Sequence, residues 1–279
     1  MAAPARPPAP AQPPAAPLRP PAMPSRKWRM PRTIMALVLR EMATSYGRNP
    51  GGYLWAVLEP VAALAVLSVV FALVLRTPSL GNSFPLFYAS AFLPFMLFND
   101  VANKMATSVK FSRPLLNYPA VTFLDALIAR LSLTLLTHIV VDTIIMAAIL
   151  VLMDTHTLLN IPRMLEGVAL AAILGVSVGV LNCYLMTAFP IWERAWQIVT
   201  RPLMLLSAVL YIYEDLPMFA REILWWNPLI HVTGLTRTGV FSTYQASYAS
   251  PLYVLLVAGV LLLLGLLLLY RYNRDLMEN

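Results

Sequence analysis

Six long apolar segments constrain what this chain can fold into. A helix that crosses a bilayer needs roughly 20 mostly apolar residues, and the six segments are all close to that length or longer. Only 12% of the 279 residues are charged, whereas about 25% is usual in a soluble domain. The sequence therefore predicts an all-α polytopic membrane protein with six transmembrane helices. Their approximate bounds are 55–76, 86–104, 121–152, 164–188, 196–213 and 251–270.

The positive charge of the chain is concentrated in its N-terminal arm. Residues 1–48 contain eight of the twenty Lys and Arg residues but only one of the thirteen acidic residues, Glu41. The arm, the second and fourth loops and the tail hold most of the basic residues, while the first and third loops hold only Arg163 and the flanking Arg76. The positive-inside rule places both termini in the cytoplasm. The basicity thus indicates topology and attraction to the membrane surface, not a nucleic-acid partner.

The N-terminal region divides into two parts. Residues 1–29 are rich in proline and alanine and are predicted to be a disordered cytoplasmic arm without the apolar core of a signal peptide. Residues 30–48 are predicted to form an amphipathic helix in the cytoplasmic interface, with an ordinary soluble arm helix as the alternative. Arg40 and Glu41 lie outside its apolar face, which is made by residues at helical spacing: Met35, Val38, Leu39, Met42 and Tyr46.

Two loops of residues 49–279, the predicted transmembrane domain, are unusually apolar. The second loop, "KFSRPLLNYPA" (110–120), carries Arg113, Leu115, Leu116 and Tyr118 between prolines, so it is expected to dock onto a partner or to dip into the lipid headgroups. The fifth loop, 214–250, is predicted to form a re-entrant pair of short helices broken at Asn227-Pro228, because each half is too short to span.

Ionisable residues inside the predicted spans are candidates for function, because such groups are costly in a bilayer and usually face a bundle interior or a cavity. His138 and Asp142 are four residues apart on one helix and can meet directly. Glu59 and Arg130 lie at similar depth from the cytoplasmic face and are expected to pair or to hold a gate. Pro60, beside Glu59, is expected near the first turn of its helix, where proline costs little. Packing of helices is the alternative role for each of them.

Aromatic residues give a second set of candidates. Tyr88 and Phe92 belong to an aromatic stripe in the second span, which can bind sugar or simply pack. Tyr213, Trp225, Trp226 and Tyr244 flank or occupy the fifth loop and can line the outer end of a canal, or form an interfacial belt.

Several chemistries are excluded by the sequence. It contains no G-x-x-x-x-G-K-[ST] motif, so the chain is not itself a P-loop ATPase. Its three histidines and single cysteine do not have metal-site spacing, and one cysteine cannot form an intrachain disulfide. The stretch "DALIAR" (125–130) resembles part of a phosphatidyl transferase motif, but Thr122 and Ala126 replace the required aspartate and glycine.

Three quoted stretches together resemble a known family. The chain is similar, in three stretches, to the ABC-2 type inner-membrane permease of capsular polysaccharide ABC exporters. The stretches are "LREMATSYGRNPGGYLWAVLEP", "LLNYPAVTFLDALIAR" and "WWNPLIHVTGLTRTGVF". The similarity runs from residue 35 to the end. The resemblance implies a homodimer in the bacterial inner membrane, bound to two copies of a separate ABC ATPase that holds ATP and Mg. It implies no cofactor on this chain. It also implies a lipid-linked polysaccharide substrate, a periplasmic copolymerase and an outer-membrane export channel.

The same resemblance assigns roles to the candidate residues. The interfacial helix and the coupling residues Arg113, Leu115, Leu116 and Tyr118 are expected to seat the ATPase. The substrate canal or gate is expected to involve ten residues: Glu59, Arg130, His138, Asp142, Tyr88, Phe92, Tyr213, Trp225, Trp226 and Tyr244. Export of O-antigen, teichoic acid or another lipid-linked substrate remains an alternative, as does a membrane-embedded transferase.

Overall fold

The computed structural model describes residues 29–45, 51–108, 110–111, 123–153, 155 and 157–271. All regular structure in these residues is helical. The longer helices are α1 (Arg29–Ser45), α2 (Gly52–Val74), α3 (Phe84–Ala106), α4 (Phe123–Leu152), α5 (Ile161–Ala188), α6 (Ile191–Leu206) and α9 (Pro251–Arg271). Two short helices, α7 (Met218–Leu224) and α8 (Pro228–Val240), precede α9, and a 3-10 turn occupies Tyr213–Asp215. The all-α prediction is thus confirmed for the described residues.

Five of these helices are long and apolar enough to cross a membrane: Gly52–Val74, Phe84–Ala106, Leu124–Leu152, Ile161–Ala188 and Pro251–Arg271. They coincide with five of the six predicted spans. The remaining prediction, 196–213, overlaps α6, which ends at Leu206. Its 16 residues rise about 24 Å, less than the roughly 30 Å hydrocarbon core. The six-span count therefore stays a prediction.

Helix α5 lies at the centre of the bundle, in contact with α3, α8 and α9. Glycines allow these close approaches. A Cβ added to Gly175 would lie 2.9 Å from the Phe98 carbonyl oxygen of α3, and one added to Gly265 of α9 would lie 2.7 Å from the Leu181 backbone nitrogen of α5. Because backbone cannot move aside as a flexible side chain does, these glycines fix the spacing of the helices.

Helix α1 packs against α4, and its orientation differs in part from the predicted one. Met35 and Leu39 of the predicted apolar face are exposed, as that prediction requires. Glu41, however, is only 7% exposed and faces the bundle. The placement of α1 in the membrane interface stays a prediction.

The segment before α9 is folded onto the bundle. Two short helices meet at Asn227-Pro228, where the sequence predicted a break. The Asn227 side chain caps α8 by accepting a hydrogen bond from the Leu229 backbone N–H at 3.1 Å, and Pro228 occupies the first helical position, where it needs no donor. Most of α8 is buried against α5 and α3. Re-entry of the pair into a membrane stays a prediction.

Candidate functional site

A polar cavity of about 230 Å³ lies between α1, α2, α3 and α4. It brings together four of the candidate residues, Glu59, Arg130, His138 and Asp142. Its other polar lining comes from Glu41, Asp100, Lys104, Thr134 and Thr137. Charged groups from four helices therefore share one space.

Arg130 is fixed at one end of this cavity by a buried ion pair with Glu41. Its Nε donates to Glu41 Oε1 at 2.9 Å, and both side chains are less than 10% exposed. Its Nη1 also donates to the Lys104 carbonyl oxygen at 3.2 Å and to Thr107 Oγ1 at 3.3 Å. The guanidinium lies over the Phe111 ring, 4.4 Å from its centroid. The predicted pairing of Arg130 with Glu59 is therefore wrong, because α1 supplies a carboxylate that is already buried beside it.

Glu59 is exposed and lines the cavity without an ion pair to another described residue. The neighbouring Pro60 is buried about two turns inside α2, which begins at Gly52. The expectation that Pro60 lies near the first turn is wrong, because the helix starts earlier than predicted. Since Pro60 has no N–H, the Ala56 carbonyl lacks its usual helical donor. Ala56 also lines the cavity.

His138 lies between two carboxylates. Its Nε2 is 3.0 Å from Asp100 Oδ2 on α3, and its Nδ1 is 3.6 Å from Asp142 Oδ2 on α4. The predicted proximity of His138 and Asp142 is confirmed. Asp100 of α3 provides the shorter of the two contacts. An imidazole held in this way bridges α3 and α4.

The aromatic candidates near the other end of the bundle form a second cluster. The Tyr213 and Tyr248 rings lie 4.1 Å apart, and the Trp225 and Tyr253 rings lie 4.9 Å apart. Trp226 is 69% exposed, and with Trp225 and Tyr213 it lines an open groove. Trp226 is therefore the member of this cluster most available to a ligand.

Buried polar contacts hold this second cluster in place. Tyr244 Oη donates to Glu214 Oε2 at 2.9 Å. The His231 Nδ1 accepts from the Ser250 backbone N–H at 3.2 Å, so its Nε2 carries the proton that it donates to the Trp225 carbonyl oxygen at 2.8 Å. The cluster is thus preorganised by its own side chains.

The other two aromatic candidates lie in the core. Tyr88 is 1% exposed and Phe92 is 5% exposed. The Tyr88 ring packs 5.3 Å from Phe71 and 5.1 Å from Phe87. Their burial agrees with the packing role that the sequence left open. The predicted coupling residues Arg113, Leu115, Leu116 and Tyr118 lie outside the described residues.

A polar groove between α3 and α6 was not predicted. Asn103 Oδ1 accepts from Trp196 Nε1 at 3.0 Å, and Asn103 Nδ2 donates to Asn99 Oδ1 at 3.2 Å. Gln197, Thr200 and Arg201 complete the polar lining. At the start of α6, Glu193 pairs with Lys110 at 2.6 Å. The signal that could have identified this face is the helical spacing of its polar and aromatic residues along α6: Trp196, Gln197, Thr200 and Arg201. Within the described residues, no group of three or more His, Cys, Asp or Glu side chains is placed so that it could hold a metal ion.

Comparisons with known proteins agree on one family. The family model for the ABC-2 type transporter matches residues 32–241. The polysialic acid transport protein KpsM of Escherichia coli is 30% identical over 245 residues, which is 88% of this chain and 95% of that protein. The capsule polysaccharide export inner-membrane proteins CtrC of Neisseria meningitidis serogroup A and BexB of Haemophilus influenzae are 28% and 23% identical. These alignments cover 87% and 88% of this chain, and 92% of each relative.

Proposed function

This chain belongs to the ABC-2 type transporter family, and we propose that it is the transmembrane subunit of an ATP-driven exporter that moves lipid-linked capsular polysaccharide across the bacterial inner membrane. The observation that carries this proposal is the alignment of nearly the whole chain with relatives named for capsule polysaccharide export or polysialic acid transport. Those names favour capsular polymer over O-antigen or teichoic acid. The chain is a permease subunit, and ATP with Mg binds to a separate ATPase subunit.

The proposed subunit crosses the membrane six times, with both termini in the cytoplasm. Helix α6 and the buried residues that follow it act as the fifth crossing, and α7 and α8 enter the outer leaflet and return. Protein covers the break between them, because α8 is buried against α5 and α3. This cover is what non-helical backbone needs at membrane depth.

Two subunits and two ATPase copies make the working transporter, continued by a periplasmic copolymerase and an outer-membrane channel. The polymer passes along a canal that ends near Tyr213, Trp225, Trp226 and Tyr244. The polar α3–α6 groove supplies hydrogen bonds along it. Glu59, Arg130, His138 and Asp142 lie near the cytoplasmic entrance, where they control a gate. Aromatic and amide groups suit a moving polymer, because each contact is weak.

The ATPase partnership is tested at the loop 110–120. The purified chain should hydrolyse no ATP, and it should co-purify with the ATPase subunit. Replacing Leu115 and Tyr118 with Ser should reduce ATPase co-purification at least tenfold, because apolar anchors carry much of the energy of an interface. Pull-down at matched membrane yield measures this.

The control for this experiment is Leu158→Ser. Leu158 is 80% exposed in the loop between α4 and α5, which is predicted to face away from the ATPase. Normal co-purification of the Leu115→Ser, Tyr118→Ser variant, or ATP turnover by the isolated chain, would contradict the proposal.

The canal is tested at Trp226. Trp226→Ala should slow polymer export about two- to tenfold, the factor that corresponds to one aromatic contact of 0.5–1.5 kcal/mol. Trp226→Phe should restore most of the rate, since phenylalanine keeps a stacking face. Export is measured as surface polymer per cell at equal permease level.

A matched control is Tyr270→Ala, which removes an aromatic side chain that is 86% exposed near the end of α9. It should leave export unchanged. If Trp226→Ala also exports normally and binds oligosaccharide as before, Trp226 is a belt residue and not part of the canal.

A further inference from the structure

The α1–α4 cavity holds charges that its own pairs do not neutralise. Four carboxylates line it, against two permanent cations and one imidazole. Glu41 is matched by Arg130, and His138 lies between Asp100 and Asp142. The remaining charged groups are the Glu59 carboxylate and the Lys104 ammonium, which have opposite signs. Neither forms an ion pair with another described residue. A ligand that carries both signs of charge would complement them.

The residues that line the cavity also include hydrogen-bond acceptors that a primary ammonium can use. Glu59 contributes a carboxylate, and the Asp100 side chain is 43% exposed although it already contacts His138. The Ala56 carbonyl is the third acceptor, because Pro60 cannot donate to it. An R–NH₃⁺ group has three donors, so it can use all three. The proline inside α2 thus creates an acceptor beside the carboxylate that precedes it in sequence.

The surroundings of the cavity favour an amphiphile over a soluble molecule. Helices α2 and α4 line it, and both expose apolar side chains close in sequence to the lining residues. On α2, Leu58 and Val61 are each 41% exposed. On α4, Leu136 is 55% and Ile139 is 60% exposed. In a bilayer these faces contact acyl chains, so a lipid can place its headgroup in the cavity while its chains stay outside.

The volume of the cavity excludes the exported polymer as its ligand. Pockets for drug-sized ligands usually measure about 300–1,000 Å³, and this one is about 230 Å³. It is too small to be a passage for a polysaccharide chain, but it suits a headgroup. Strong charged contacts would also halt a polymer that must move.

We propose that this cavity binds the headgroup of an aminophospholipid, with its ammonium at Glu59, Asp100 and the Ala56 carbonyl and its phosphate at Lys104. The ligand is a resident membrane lipid, so the proposal goes beyond polymer export. It requires the amine to donate hydrogen bonds. Phosphatidylglycerol has no amine, and the quaternary ammonium of phosphatidylcholine has no N–H. Phosphatidylethanolamine should therefore bind in preference to both.

The test is native mass spectrometry of the full chain in phosphatidylglycerol nanodiscs that contain equal minor fractions of phosphatidylethanolamine and phosphatidylcholine. Retention of each lipid is expressed relative to its mole fraction in the nanodisc. After bulk lipid is removed, phosphatidylethanolamine should be retained about tenfold over the other two, the ratio expected for one additional charge-assisted contact. Glu59→Gln should abolish that preference. Lys104→Met should reduce retention of all three lipids alike, because each carries the phosphate.

Glu166→Gln is the matched control, since Glu166 is a partly exposed carboxylate on α5 that pairs with Arg163 away from the cavity. This variant should still retain phosphatidylethanolamine in preference to the other two lipids. Equal retention of the three lipids, or a preference that survives Glu59→Gln, overturns the proposal. Preferential retention of phosphatidylglycerol also overturns it, and assigns the cavity to the phosphate of an amine-free lipid such as a polymer anchor. Polymer export, measured separately, tests the exporter assignment independently of these outcomes.

Discussion

Arg130→Gln should destabilise the protein by about 3–5 kcal/mol, the range found when one partner of a buried ion pair is removed. The Glu41 carboxylate would then remain buried between α1 and α4 without the cation that pairs with it. Glu41→Gln should have a similar effect. Because this pair is a main polar link between α1 and the bundle, loss of either residue should release α1 first. Unfolding in detergent, followed by fluorescence-detected size exclusion, measures the change.

The double variant Glu41→Gln, Arg130→Gln should be less damaged than the sum of the single changes, since no isolated charge remains. Arg163→Gln provides a control, because the Arg163–Glu166 pair has a similar N···O distance, 3.0 Å, but is exposed to solvent. That change should cost about 1 kcal/mol or less. Equal effects at Arg130 and Arg163, or strong coupling of Arg130 to Glu59 instead of Glu41, would contradict the arrangement described above.

Gly265→Ala should be the second severe change, with a cost of at least 1–3 kcal/mol, the range for an overpacked core. The new methyl group would lie 2.7 Å from the Leu181 nitrogen and 2.9 Å from its Cα. Both are backbone atoms of α5, so α9 would have to move away from the central helix. Thermal stability of the purified chain and its yield in membranes report this effect.

Gly259→Ala is a control on the same helix with the same substitution. A Cβ at Gly259 meets nothing within 4 Å. Alanine has a higher helix propensity than glycine by about 1 kcal/mol, so this variant should be neutral or more stable. If Gly265→Ala is as well tolerated as Gly259→Ala, α9 does not pack against α5 as closely as the structure places it.

The sequence predicted the long helices well because lipid imposes a simple requirement of length and apolarity. It was less successful at residues 196–213, where hydropathy does not distinguish burial in lipid from burial in protein. Ser207, Ala208 and Val209 are fully buried, yet they follow the end of α6 and pack in the bundle. The sequence therefore predicted one continuous segment to residue 213, whereas the helix ends at Leu206 and a buried turn follows it.

The ionisable residues show a second limit. The contact of His138 with Asp142 follows from helical spacing alone, and the sequence predicted it. The contacts of His138 with Asp100 and of Arg130 with Glu41 join residues 38 and 89 positions apart. They depend on how helices are rotated against one another. The estimated membrane depth of each residue placed Glu59 near Arg130, and both residues do line one cavity. Depth does not specify how each helix is rotated about its axis, so it could not identify the ion-pair partner.

The single thiol has a practical consequence for establishing topology. Cys183 is 0% exposed, and its Sγ lies 3.6 Å from Ser108 Oγ, so a membrane-impermeant maleimide should not reach it in the folded protein. The folded chain should therefore give no maleimide-labelling signal of its own. A cysteine introduced at Val151 or at Tyr270, which are 83% and 86% exposed, would react from one side of the membrane only. Comparing intact and opened vesicles would then assign these two helix ends to a compartment without removing the native cysteine.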